Sequence, residues 1–482
     1  MKKYILSLIA IGIMAWGCED LDVLQEEPKY DAVETFMTNA ERTESVILSC
    51  YYQLRRDQLF GRYEQMINET QADYNYGSGS YAYMSSYTGL DQTNISRIND
   101  TWAILYRVVR FANEILELMQ DANMSEQSYK ELSGELKFLR ALAYLRLTWH
   151  WGGIPLFDET NWKELIRPRA TVAEVYNLIV SDLTYAEQSL PDAVKQYGRP
   201  SKWAAKTCLT EVYLYLQRWV EARDKALEVI NSNKYSLVPV TVADDFYNIF
   251  GPDIVGTPEE IFYIKYNSQN GAMFAWMCHT TGTSYINPTQ GPMGLYSLAA
   301  NKFIVDWDAA DLRRPFNLYN ATVSGVARKL CKKFIDPDQT GSYTSNDNPL
   351  YKYSDLLLYY AEAAARAANG PTADSMEKLN WVHRRAYGKD PKTANATVDL
   401  KLADYNTLES FINLVLKERG YETYCEGKRY IDLIRCGKLA EYVKYAKNID
   451  ITSDAAYWWP IPDNEFLHNP YFNVETDQNP GY

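Results

Sequence analysis

Residues 201–234 read SKWAAKTCLTEVYLYLQRWVEARDKALEVINSNK, a spacing that predicts two helices packed face to face. Leu209 and Tyr213 fall one turn apart in the first segment. Ala222, Ala226 and Val229 do the same in the second. Positions three and four apart share one face of an α-helix, so each segment carries a single apolar stripe. The small Ala222 and Ala226 let the second helix come close to the first, and Tyr213 fills the space above them. This is the residue-size pattern of a tetratricopeptide unit, a helical hairpin that cannot bury its own apolar side and must stack on a neighbour.

The pattern recurs on both sides. Leu356, Leu357, Tyr360, Ala361 and Ala364, then Met376, Leu379, Val382 and Ala386, make a second pair, and a third spans Leu408 to Leu439. Upstream, apolar stripes run from Val46 to Leu54, Leu105 to Met119, Leu132 to Leu147 and Val175 to Ala186. Thr38 with Glu41, Ser128 with Glu131 and Thr171 with Glu174 read as capping boxes, which satisfy backbone N–H groups at helix starts. Gly152-Gly153-Ile154-Pro155 stops a helix. The predicted fold is mainly α: a tetratricopeptide-like helical-repeat framework over about 38–235 and 351–440, supporting a loop-rich, irregular half over about 237–350. A shorter stretch of the same loop-like character covers 74–94. Long loops in a compact domain usually carry function, so the ligand region is expected in these two stretches.

The amino terminus predicts export. Lys2 and Lys3 precede an apolar run from Tyr4 to Met14, and Ala15-Trp16-Gly17-Cys18 closes it. Residues 1–17 read as a lipoprotein signal peptide, with Cys18 as the acylated new amino terminus of a single domain, 18–482. More than one acyl chain is needed for stable attachment, which a multiply acylated Cys18 would supply. No later apolar stretch is long enough to span a bilayer.

The 49 basic and 62 acidic residues leave a net charge of −13, which disfavours nucleic acid and anionic membrane surfaces as partners. Seven Cys lie far apart without a CxxC, so neither a zinc site nor a disulfide scaffold is expected. Cys425 and Cys436 could pair, but isolated packed thiols are the expectation. Forty Tyr and 12 Trp supply more amphipathic plates than a core requires, as a wet binding surface would.

The residues in order resemble the SusD/RagB family of surface lipoproteins of Bacteroidetes over nearly the whole chain. The resemblance is carried by Trp151-Gly152-Gly153-Ile154-Pro155, Arg169-Ala170-Thr171-Val172-Ala173-Glu174-Val175-Tyr176 and Lys202-Trp203-Ala204-Ala205-Lys206. It continues in Glu418-Arg419-Gly420-Tyr421-Glu422, Glu426-Gly427-Lys428-Arg429-Tyr430, Pro460-Ile461-Pro462 and the closing Gln478-Asn479-Pro480-Gly481-Tyr482. The resemblance implies four tetratricopeptide-like units, a glycan or sometimes peptide ligand, and a SusC-like TonB-dependent barrel transporter as partner. It also implies a surface-exposed, lipid-anchored location on the outer membrane, for which Glu19-Asp20 looks like the sorting signal. Gly420, where a second Arg is common, and Cys436, where a Trp often sits, depart from the pattern.

Glu418, Glu422, Glu426 and Asp432 are dense enough to suggest a carboxylate site, yet they alternate with Arg419, Lys428, Arg429 and Arg435 and are expected to form structural ion pairs. His150, His279, His383 and His468 are scattered, and no nucleophile or phosphate-loop motif stands out, so no catalytic residue, metal or cofactor is expected. His150 and Trp458-Trp459 read as packed residues. For ligand contact, the first loop offers Asp73, Tyr74, Tyr76, Tyr81, Tyr83 and Tyr87, with Asn75 beside them. The second offers Trp276, Tyr285 and Tyr296, with Asn267 and Gln269. Aromatic plates flanked by amides and carboxylates suit sugars, which present flat C–H faces and a rim of hydroxyls. The expected function is capture of an extracellular oligosaccharide for a transporter. A peptide-binding lipoprotein, a helical surface hydrolase and a structural helical-repeat adaptor remain as alternatives.

Overall fold

The computed structural model describes residues 36–482 apart from 268, 270–293, 324–325 and 340–342. Cys18 and the signal peptide, with Trp276, Tyr285 and His279, lie outside the described residues.

Among the described residues the main helices are α1 (Ala40–Leu54), α2 (Tyr63–Gln71), α3 (Gln92–Leu118), α4 (Glu126–Trp151), α5 (Val172–Ser189), α6 (Lys202–Tyr215) and α7 (Trp219–Asn231). They continue with α8 (Tyr353–Ala367), α9 (Ala373–Ala386), α10 (Leu408–Glu422), α11 (Arg429–Arg435) and α12 (Leu439–Lys447). The hairpin at 201–234 forms as read. Leu209, Ala222, Ala226 and Val229 are fully buried, and the Arg218 guanidinium closes over Tyr213 at 4.4 Å from its ring centre.

The helices stack in chain order, α3 on α4 through to α6 on α7, and α8 on α9 and α10. The two helical blocks are continuous in space, because α7 packs directly on α8 across the intervening loop-rich half. Each hairpin thereby covers the apolar side that its neighbour leaves open.

The capping box at Thr171 is present: Glu174 N donates to Thr171 Oγ1 at 3.3 Å and Thr171 N to the Glu174 carboxylate at 2.8 Å. The other two starts differ from the sequence reading. Asn39 caps α1, accepting from Arg42 N at 3.0 Å, since Asn outranks Thr as a cap and Thr38 instead takes the Arg42 guanidinium. Ser125 caps α4, accepting from Ser128 N at 3.1 Å. The helix thus begins a turn earlier and brings Glu126 to its positive end. Helix α3 also starts well before the stripe that opens at Leu105, capped by Asp91.

The half read as irregular holds two small antiparallel sheets. Strands β1 (Tyr76–Gly77), β3 (Leu295–Leu298), β5 (Val326–Cys331) and β4 (Leu318–Val323) form one in the order β1-β3-β5-β4, and β2 (Glu260–Ile264) pairs with β6 (Asn348–Lys352) in the other. Strands β2 and β6 are buried at every position, so they show none of the alternation that betrays a strand. Phe262 of β2 meets Phe138 of α4 edge-on at 5.0 Å, which fixes this sheet to the helical stack.

The carboxylates of α10, its carboxy-terminal loop and α11 are structural. Glu418 and Glu422 meet Arg313 and Arg385, Glu426 meets Lys333 and Lys352, and Asp432 meets Arg419, all of them buried. Burial alone would raise the Glu422 carboxyl, but Arg385, Lys352 and Arg313 hold it down at about 2. Cys425 lies against Asn75 and Cys436 against Glu362, so the two thiols occupy separate neighbourhoods. His150 stacks flat on the buried Trp459 at 3.7 Å, while Trp458 is half-buried over Gly152.

Candidate functional site

Strand β1 brings residues from the first loop beside residues from the second. Tyr76 is the register partner of Tyr296, and the two rings stack at 5.6 Å between centres with 17° between planes. Both are half-buried. Successive side chains of a strand point to opposite faces. The neighbours Asn75 and Ser297 therefore point inward, where Ser297 Oγ donates to Asn75 Oδ1 at 2.9 Å. Asn75 Nδ2 in turn donates to Glu69 at 2.9 Å, and Ser78 N to Gly294 O at 2.8 Å. The buried side of the ribbon is thus pinned, and the outward pair of rings is held in place before any ligand arrives.

Two cations adjoin the rings. The Arg328 guanidinium lies 3.8 Å from the Tyr296 ring centre and Lys447 Nζ lies 4.6 Å from that of Tyr76. Burial lowers the Lys447 ammonium to about 7, against the pull of Asp73, and it donates to Tyr87 Oη at 2.7 Å. Beneath the ribbon, burial raises the Glu69 carboxyl to about 8, even though Gly427 N, Tyr74 and Asn75 donate to it. The arrangement is a half-exposed pair of stacked rings with a cation against each of them. It suits hydrogen bonding and aromatic contact.

The other predicted contacts in the first loop are mostly interior. Asp73 is 1% exposed and its carboxylate accepts from both Nε and Nη2 of Arg429. Tyr74 is fully buried between Phe303 and Tyr424. Tyr81 lies under the Arg97 guanidinium at 4.0 Å, and Tyr87 donates to Ala72 O. These four have no surface to offer a ligand, because residues 74–94 wrap onto α2 through the 3-10 turn Gly79–Ser86 instead of standing in water. Tyr83 is exposed on the 3-10 turn Gly79–Ser86. Gln269 N donates to Asn267 Oδ1 at 3.0 Å, a local turn.

Sequence reasoning missed Arg328 and Lys447. A cation on a short hairpin and another at a helix end carry no local signal. Among the described residues no group of three or more His, Cys, Asp or Glu is placed to hold a metal, and no helix is long and apolar enough to cross a membrane.

Residues 22–214 match a SusD-like family described as "Starch-binding associating with outer membrane", and residues 320–482 match the SusD family. SusD-like protein P25 of Formosa agariphila is 25% identical, over 97% of this chain and 97% of that protein. A SusD homolog from Bacteroides thetaiotaomicron superposes with a TM-score of 0.78 at 22% identity, covering 93% of this chain and 98% of that one. The surface glycan-binding protein A of Bacteroides thetaiotaomicron, solved in complex with laminarihexaose, superposes with a TM-score of 0.73 at 22% identity, over 92% and 100% of the two chains.

Proposed function

Because this chain belongs to the SusD/RagB family, whose proteins are non-catalytic glycan-binding proteins, we propose that it captures an extracellular oligosaccharide on the Tyr76–Tyr296 platform. It then delivers that ligand to a partner SusC-like TonB-dependent transporter of the outer membrane. The observation that carries the reading is the stacked, half-exposed tyrosine pair held by a pinned ribbon. Pre-organised aromatic side chains lose little conformational entropy on binding, and the half-exposed edges and hydroxyls of this pair suit the C–H groups and hydroxyl rim of a sugar ring. The bound laminarihexaose of the structural relative is in keeping with this class of ligand.

In this reading Cys18 carries the acyl chains that hold the protein at the outer surface of the outer membrane. Tyr83, Trp276 and Tyr285 are proposed as further contacts. The protein swings on its transporter as a lid, loads at the interface and closes, with no cofactor and no covalent step.

Calorimetric titration of the chain from Glu19 onward, against a panel of polysaccharides and a peptide digest, tests the proposal. Binding to a glycan without release of products on long incubation is the expected result. Heat with the peptides alone, or products that disappear when one carboxylate is replaced, would overturn it. For delivery, co-purification with an outer-membrane barrel is expected, and a chain recovered only by itself from detergent-solubilised membranes would refute that step.

A further inference from the structure

A cavity of about 340 Å3 lies against α12, lined by Tyr405, Tyr442, Tyr445, Asn413, Asp306 and Lys417. We propose that it is a second saccharide subsite, taking one neutral pyranose ring of the same chain that lies on Tyr76 and Tyr296. This rests on the glycan reading above. The volume falls in the lower part of the range for ligand pockets, roughly 300–1,000 Å3.

Tyr445 is 57% exposed, yet it is not a free surface side chain. Its hydroxyl donates to Asp306 Oδ2 at 2.5 Å and its ring stands beside Lys302, so the plate is already fixed as an outer wall. A large aromatic held upright at the mouth of a concavity adds contact area at little entropic cost. Inside, the Tyr442 hydroxyl reaches Asn413 Oδ1 only at 3.4 Å, a weak contact that a sugar hydroxyl can replace. Lys417 is exposed and meets no carboxylate within ion-pair range among the described residues, so its donors are available. At the floor, Arg429 spends donors on Asp73 and on Leu416 O, so its charge is already compensated.

The mix of an apolar wall, the Asn413 amide, the Asp306 carboxylate and the Lys417 amine, over the paired Asp73 and Arg429, suits a ring with C–H faces and hydroxyls. With both signs of charge present, it selects neither a polyanion nor a polycation. The cavity also belongs with the platform. Tyr445 and Lys447 are both on α12, two positions apart and therefore on opposite sides of it, and Lys447 touches Tyr76. A glycan passing over one helix, about 10 Å across, reaches both sites. Two linked contacts raise affinity through effective concentration, so the gain should grow with chain length.

The test is calorimetry on the chain from Glu19 onward with laminari-, cello-, malto-, xylo- and manno-oligosaccharides, from disaccharide to hexasaccharide, for wild type, Tyr296→Ala, Tyr445→Ala and Lys417→Ala. Tyr445→Ala is expected to weaken the best hexasaccharide roughly five- to tenfold and to flatten the dependence on length, with its melting temperature unchanged. Lys417→Ala should do the same more weakly, and Tyr296→Ala should reduce binding at every length. If Tyr296→Ala weakens binding while both Tyr445→Ala and Lys417→Ala match wild type, the second subsite is refuted and the platform stands. If wild type binds no member of the ladder, the glycan reading fails and the subsite fails with it.

Discussion

Arg429 grips Asp73 with two parallel hydrogen bonds, Nε to Oδ1 at 2.9 Å and Nη2 to Oδ2 at 2.8 Å, although 356 positions separate them in the chain. The pair joins the end of α2 to the start of α11 and underlies both the tyrosine ribbon and the cavity beside α12. Gly420 makes room for it: a Cβ there would stand 3.1 Å from Arg429 Nη1 and 2.8 Å from Phe303, which gives the family departure at this position a packing reason.

Asp73→Ala leaves the Arg429 guanidinium buried and uncompensated. The expected loss is about 3–5 kcal/mol in denaturant unfolding. Asp73→Ala combined with Arg429→Met should recover most of it, and a double variant no more stable than the single one would show that the pair is not the cause.

Tyr76→Ala and Tyr296→Ala remove half-exposed rings and should weaken glycan binding about tenfold or more while shifting stability by less than about 1 kcal/mol. Tyr74→Ala should do the opposite first, costing about 3–5 kcal/mol as a large aromatic truncation in the core. Paired calorimetry and thermal melts separate the two classes. A Tyr74→Ala protein of normal stability would contradict its placement.

Acid should destabilise the fold through Glu362 and Glu422. For Glu362, burial acts to raise the carboxyl, but Arg435 and Arg366 outweigh it and hold it at about 2, below the ordinary 4.5. A depressed folded value means that the native state binds fewer protons, so this contribution is full above pH 4.5 and is lost as pH falls toward 2. Glu362→Gln should flatten the acid limb of a stability profile. An unchanged slope would count against the Arg435 pairing.

Glu69 has the reverse sign. Burial raises it to about 8, so the native state holds a proton that the unfolded chain releases above 4.5. Its contribution is full below pH 4.5 and declines as pH rises through 8. Glu69→Gln should remove that decline between pH 5 and 8, read as the pH dependence of the urea midpoint.

Gly153→Ala tests the turn after α4. A Cβ there would lie 2.3 Å from Ala170 O, so the Gly153–Ala170 crossing must open. A loss of about 1–3 kcal/mol is expected, with glycan affinity unchanged in the folded fraction.

Much of the framework was legible because its information is local. The stripes at 201–234 and 353–387 lie within single helices, and the cap at Thr171 needs only Glu174 three residues on. Thr38 and Ser128 misled because Asn39, the next residue, is the better cap, and because Ser125, three residues before Ser128, is an equal one that the spacing alone does not rank. The strands escaped notice because β1 has two residues and β2 and β6 are buried on both faces, so no alternation of period two could develop.

The sequence by itself determined the helical hairpins, their need to stack, and a surplus of tyrosines in two loop-like stretches, all properties written in neighbours a few residues apart. Only the tertiary structure decided which tyrosines face outward. Tyr74 and Tyr76 sit in the same loop, yet the first is sealed against Phe303 and Tyr424 and the second meets Tyr296. That choice follows from the pairing of β1 with β3, whose parity turns Asn75 and Ser297 inward and the two rings outward, and such pairing between distant segments leaves no trace in the spacing of either.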